Sequence, residues 1–227
     1  MTIILVFLAL LMGVVVWWLV KQTINITPWV ADGATDSVRE EGVRSPFTTR
    51  PLSNMKLALG VFLAVATSLF ALFISAYSIR MEYPDWRPLT EPSLLWINTG
   101  ILVMSSVFLQ WAWNGAKRGD LKTVWRGVAV GGAFSIAFIV GQLAAWDQLA
   151  SSGFFSMGDP ANGFFYLLTG VHALHLIGGL IALSRTVSRL WRHRDMESIE
   201  PGVELCAVYW HYLLVIWLIL FGLLLTT

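Results

Sequence analysis

Apolar residues fall into six long blocks along the chain, at about 3–20, 56–79, 93–113, 126–147, 164–184 and 204–226. Each is long enough to cross about 30 Å of hydrocarbon as a helix. The separators carry charges and Pro, Gly or Asp, the residues that end helices. The pattern predicts an all-α integral membrane protein with six transmembrane helices. It divides into an N-terminal helix (1–20), a polar linker (21–55) and a five-helix membrane domain (56–227). The opening MTIILVF has no Lys or Arg ahead of its apolar core, and no A-x-A-like cleavage site follows. A retained helix is therefore expected, not a cleaved signal. The linker, with ADGATDSVREEGVRSP at its heart, mixes charges with Gly and Ser. It has too little apolar surface for a core of its own and reads as a solvated connector.

Composition agrees. The chain is 56% hydrophobic and 13% charged, with mean hydropathy +0.68, against about 25% charged in soluble domains. Its formal net charge of +1 leaves no basic patch beyond the helix ends, which excludes nucleic acid as a partner. The one cysteine, Cys206, rules out an internal disulfide or a CxxC site and reads as a small core hydrophobe. The basic residues set the orientation. Lys21, Arg39, Arg44, Arg50 and Lys56 fall at the first connection. Lys117, Arg118, Lys122 and Arg126 fall at the third, and Arg185, Arg189, Arg192 and Arg194 at the fifth. The second has only Arg80 and Arg87, and the fourth has none. The three basic connections thus face the cytoplasm, and both termini face outward.

Polar residues inside the blocks are costly in hydrocarbon and therefore informative. The third block carries Asn98, Thr99, Ser105, Ser106 and Gln110. The fourth carries Gln142 with Asp147 at its outer end, the fifth His172 and His175, and the sixth Glu204 and His211. No Lys or Arg lies deep in any block, and the only acids near hydrocarbon sit close to an interface. A transporter with a chain of buried carboxylates is poorly supported. In the fourth block Ala129, Ala133, Ala137 and Gly141 recur every four residues, and Gly127 with Gly131 forms a GxxxG. Gly178, Gly179 and Ala182 do the same in the fifth. Such strips let helix backbones approach closely. Trp17, Trp18, Trp96, Trp111, Trp113, Trp125 and Trp146 lie near block ends, as interface anchors do.

The histidines in LTGVHALHLIGG admit two chemistries. The fifth block runs inward, which puts His175 roughly 18 Å from its outer end, and the sixth runs outward, which puts His211 about 10 Å above its inner end. The two fall near one depth. A b-type haem held by both, in an electron-carrying membrane anchor, is one reading. The other is neutral imidazoles that hydrogen-bond across helices to groups such as Asn98, Gln142 or Glu204. A non-haem metal is disfavoured, because HxxH lacks the further His and carboxylates of such sites.

The ordered motifs over residues 56–227 resemble subunit III of the haem–copper respiratory oxidases, the cytochrome c oxidase family. NTGILVMSSVFLQWA (98–112) is similar to that family's helix beginning Asn-Thr and ending Trp-Ala. FFYLLTGVHALHLIGG (164–179) is similar to its Thr-Gly-Phe-His-Gly-Leu-His stretch, through Thr169, Gly170, His172, His175 and Gly179. ELCAVYWHYLLVIW (204–217) is similar to its final helix, through Glu204, Tyr209, Trp210, His211 and Trp217, and Gln142 matches a Gln of the intervening helix. The N-terminal helix marks a divergent bacterial-type branch.

The resemblance implies a non-catalytic subunit with no catalytic, metal or cofactor-binding residue of its own. Haems and copper are then expected in partner subunits I and II. The complex is expected to reduce O2 to water with electrons from cytochrome c while moving protons across a bacterial inner membrane. This chain would contact subunit I directly, hold phospholipids, and support proton uptake and the stability of subunit I. Quinol oxidases and nitric-oxide-reductase-associated homologues share the subunit type. Under the resemblance, Arg189, His172 and Trp210 are the expected lipid contacts, Arg189 through a bidentate guanidinium–phosphate pair. Asn98, Gln142, His172, His175, Glu204 and His211 are the expected intramembrane packing residues. Three departures stand out: the family's buried Glu is Ala66 here, its His-His after Trp-Ala is Trp113-Asn114, and its Asp three residues past the final-helix His is Leu214.

Overall fold

The computed structural model describes residues 54–84, 86, 93–151, 160–192 and 196–225. The expected N-terminal helix and nearly all of the 21–55 linker lie outside them. Within the described residues the chain forms α1 (Asn54–Arg80), α2 (Leu94–Lys117), α3 (Leu121–Leu149), α4 (Pro160–Arg192) and α5 (Met196–Leu225), and no strand. All five helices are long and apolar enough to cross a membrane. Each extends past its apolar block into polar sequence, because a helix end is set by local caps as well as by hydropathy. Pro160 opens α4, where its fixed φ and missing N–H suit the first turn. The turn between α2 and α3 is closed by Gly119, whose φ of 73° is costly for a side-chain-bearing residue. Asp120 then caps α3, accepting from the backbone N–H of Lys122 at 3.0 Å and Thr123 at 3.3 Å.

By its contacts the chain divides into two compact units, Met1–Ala64 and Val65–Thr227. Of the first, only the opening turns of α1 are described. They are apolar, with Leu57, Val61 and Phe62 exposed. In the second unit α2 and α3 form the most extensive helix pair, α5 packs on α2 and α4, and α4 also meets α3. α5 lies at the centre: 61% of its most apolar stretch is buried, against 22–33% for the other helices.

The α2–α3 contact comes from the sequence of α3. Gly127, Gly131, Ser135, Phe138 and Gln142 recur at three- and four-residue spacing, and all are buried. A Cβ on Gly127 would lie 2.7 Å from Ala112 Cβ and 2.8 Å from the Phe108 carbonyl oxygen; one on Gly131 would lie 2.8 Å from Leu109 Cγ. The GxxxG is therefore the close-approach strip, as expected. The alanine strip is not, except at Gly141, which sits against the Asn98 side chain of α2. Ala129, Ala133 and Ala137 are exposed, because a helix can turn only one of two neighbouring small-residue strips toward a given partner. In α4 the correction is similar. Only Gly179 sits against a neighbour, under the rings of Tyr209 and Trp210, while Gly178 and Ala182 are exposed.

Candidate functional site

The polar residues of the spans tie the helices together through hydroxyls. Trp210 on α5 is fully buried, and its indole N–H donates to Ser135 Oγ on α3 at 2.8 Å. Ser135 and Ser105 Oγ lie 2.7 Å apart, and each is 2.9 Å from the Gly131 carbonyl oxygen, which links α2, α3 and α5 at one point. Trp217 on α5 donates to Thr99 Oγ1 on α2 at 2.9 Å, and Trp146 on α3 donates to Thr169 Oγ1 on α4 at 3.0 Å. The Tyr212 hydroxyl bonds Thr67 Oγ1 on α1 at 3.1 Å, and the Tyr209 hydroxyl donates to the His175 carbonyl at 2.9 Å. An indole N–H or a phenol left unpaired in hydrocarbon is costly, so these pairs hold both their side chains and their helices in place.

Asn98 and Gln142, expected as partners of the histidines, bond each other. The Asn98 side-chain amide donates to the Phe138 carbonyl at 3.3 Å and to Gln142 Oε1 at 3.4 Å, and all three residues are buried. His172 is fully buried in a sleeve of rings, with centroids 5.2 Å from Trp217, 5.9 Å from Phe138 and 6.4 Å from Phe70. Trp210 is equally buried, so of the three expected lipid contacts neither His172 nor Trp210 reaches the lipid-facing surface. Arg189 belongs to the inner end of α4, and its side chain lies outside the described residues. Glu204 is partly buried in α5.

His175 and His211 have different neighbours. His175 Nδ1 bonds the Val171 carbonyl of its own helix at 2.8 Å, and its ring lies 5.3 Å from that of Phe70 on α1. His211 Nδ1 instead pairs with Ser106 Oγ on α2 at 3.0 Å. Tyr209, two residues before His211 and therefore on another side of α5, is the residue that reaches His175. His211 lines an open cleft of about 360 Å3 together with Ser106, Gln110, Asn114, Val107 and Leu214. Gln110 Nε2 and Asn114 Oδ1 are 3.3 Å apart along its wall. Among the described residues no three His, Cys, Asp or Glu side chains come together.

Sequence reasoning missed Ser135, Thr67 and Tyr212. For Ser135 a signal existed, since it continues the Gly127–Gly131 strip by one further step of four. Thr67 and Tyr212 lie 145 positions apart with no shared pattern, and only the fold joins them.

The family model described as cytochrome c oxidase subunit III matches residues 1–225 of the chain. Among named proteins, the cytochrome c oxidase subunit 3 of Synechocystis sp. is 31% identical over 173 residues, 71% of this chain and 70% of that protein. The subunit 3 of Thermostichus vulcanus is 30% identical over 174 residues, 74% of this chain and 85% of that protein. The subunit 3 of Paracentrotus lividus is 27% identical over 219 residues, 94% of this chain and 79% of that protein.

Proposed function

The chain belongs to the cytochrome c oxidase subunit III family, and from that premise we propose that it is the structural, lipid-holding subunit of a proton-pumping oxidase fed by cytochrome c. Membership makes it a multi-pass membrane protein that works in a complex with other oxidase subunits. The finer reading puts that complex in a bacterial inner membrane, with this chain against subunit I. The haems and copper reside in subunits I and II.

One observation carries the structural role. The three intramembrane histidines are committed to three different surroundings: His172 to a sleeve of rings, His175 to its own backbone beside Phe70, and His211 to Ser106. On the α5 side it is the Tyr209 hydroxyl that reaches the His175 backbone, while the His175 ring turns to Phe70 of α1. This supports histidines that pack and hydrogen-bond in a scaffold. A scaffold of this kind lends a neighbouring subunit a rigid wall and excludes water from its flank. Its exposed apolar faces, such as Leu72, Ile136, Val140 and Leu143, suit acyl chains.

The test removes the chain from the purified oxidase. The reduced-minus-oxidised haem spectrum should keep its full amplitude, turnover should begin at a normal rate and decay faster, and bound phospholipid should fall. A haem band lost in proportion to the chain, or a stoichiometric b-type band in the chain purified alone, would make it an electron carrier and overturn the proposal.

A further inference from the structure

The junction of α2, α3 and α4 contains polar atoms that the protein does not satisfy. Asn98, Gln142 and His172 are exposed by 0, 1 and 0%. Yet Asn98 Oδ1, Gln142 Nε2 and both ring nitrogens of His172 have no hydrogen-bond partner among the described residues. Flipping the amides does not resolve this. Asn98 Nδ2 faces the Phe138 carbonyl, which can only accept, so its orientation is fixed. Gln142 must then turn Oε1 toward that same Nδ2, which leaves its own Nε2 outward. On α3, Phe138 touches the His172 ring and Trp146, eight residues on, bonds Thr169 on α4. Gln142 lies midway between them, and Thr169 lies three residues before His172, so antiparallel packing sets Gln142 between the levels of Thr169 and His172, within one turn of His172.

We propose that this junction binds internal water, with at least one molecule bridging His172 to the Asn98–Gln142 pair. The inventory matches. One ring nitrogen of a neutral His172 offers a donor or an acceptor, Gln142 Nε2 adds a donor and Asn98 Oδ1 an acceptor. The two ring nitrogens point away from each other, so a single water engages one of them and finds three partners here. Buried waters typically make about three such bonds and are held where two to four polar partners converge. The water then does for α4 what Ser135 does for α5, binding it to the α2–α3 pair through a shared oxygen. The rival is a dry junction, with the His172 N–H directed at the face of Trp217 or Phe138.

Electron cryomicroscopy of the assembled oxidase, at a resolution that shows ordered water elsewhere in its core, separates the two. The expected result is a density peak within about 2.7–3.2 Å of Gln142 Nε2 and of one His172 nitrogen. Unbroken ring contact there, with water resolved elsewhere, overturns the proposal. A second readout is the thermal midpoint of the complex carrying His172→Phe, Gln142→Leu or both. A shared water predicts that each single change lowers the midpoint, by about 2–4 °C. The pair together should lower it no further than the worse single change. Additive losses, or a raised midpoint for His172→Phe, overturn it.

Discussion

Replacing glycine by alanine in α3 and α4 gives opposite expected signs at neighbouring positions. In a helix the change is worth about 1 kcal/mol in alanine's favour when nothing is touched. At Gly127 the new methyl meets the Phe108 carbonyl oxygen at 2.8 Å and Ala112 Cβ at 2.7 Å. Both belong to α2's backbone or sit directly on it, so relief requires the two helices to separate. Overpacking of this kind costs about 1–3 kcal/mol, which outweighs the gain. Gly131 is also tight, but its nearest neighbour is Leu109 Cγ at 2.8 Å, a side chain that can turn, so its cost belongs at the low end of that range. Gly141→Ala places its methyl on Asn98 Oδ1 and displaces an amide held by two buried hydrogen bonds. Gly178 and Gly100 have no atom within 4 Å of a new Cβ. The same substitution there is expected to be neutral or stabilising.

The assay is the temperature at which this subunit is lost from the detergent-purified oxidase, read by size-exclusion chromatography after heating. At about 2–4 °C per kcal/mol for a chain of this size, Gly127→Ala should lower the midpoint by several degrees. Gly131→Ala should lower it less, and Gly178→Ala should leave it level or raise it. The exposed strip supplies the contrast: Ala129→Leu and Ala137→Leu face hydrocarbon, where another apolar group changes little. A midpoint raised by both Gly127→Ala and Gly131→Ala would refute the claim that this strip carries the close approach.

Three further outcomes are expected. Ser135→Ala strands the buried Trp210 N–H and should destabilise by about 1–2 kcal/mol; after Trp210→Phe the same change should cost clearly less, so a double-mutant cycle with no coupling would refute the knot. The Thr123 hydroxyl and the backbone N–H groups of Thr123 and Lys122 hold the Asp120 carboxyl below its ordinary value. Its stabilisation of the α3 cap is therefore complete at neutral pH and lost as pH falls through the depressed folded value. The protection of the 118–124 amides, taken relative to their intrinsic exchange rate at each pH, should fall on acidification more in the wild type than in Asp120→Asn, which caps without titrating. Leu214→Asp places an acid deep in α5, at about 2.5–3.5 kcal/mol for an uncompensated charge; subunit retention should drop, and should recover in part when Asn114→His is added.

Much of the fold was legible because hydropathy blocks act along the chain, one helix at a time. The Asn98–Gln142 contact was not drawn from the sequence, which paired both amides with the histidines, although few partners exist for an amide in hydrocarbon. What escaped was rotation about each helix axis. Two small-residue strips in α3 are equivalent by spacing, and only the partner surface of α2, with Ala112 and Leu109 facing out to meet it, selects Gly127–Gly131 over Ala129–Ala133. His175 and His211 were expected near one depth, and Tyr209 on the His175 carbonyl sets these stretches of α4 and α5 side by side. Depth does not say which way a side chain faces, and at about 100° per residue the two positions from Tyr209 to His211 move the imidazole from α4 to α2.

The groove beside His211 gathers departures that lie far apart in sequence. The family resemblance places His-His where Trp113-Asn114 stand, and an Asp where Leu214 stands. In the fold Asn114 and Leu214 line the same cleft, with Ser106 and His211 completing its polar side. An acid buried in a membrane is tolerable when a basic or hydrogen-bonding partner faces it and costly when none does. Asn114 and Leu214 form the neutral version of that arrangement: Asn114 bonds along its own helix to Gln110, and Leu214 needs no partner. His211 has a hydroxyl partner in Ser106, so the polar side of the groove is hydrogen-bonded. Positions 114 and 214, far apart along the chain, thus share one wall of the fold, and an acid placed at 214 would meet Asn114 and not a base.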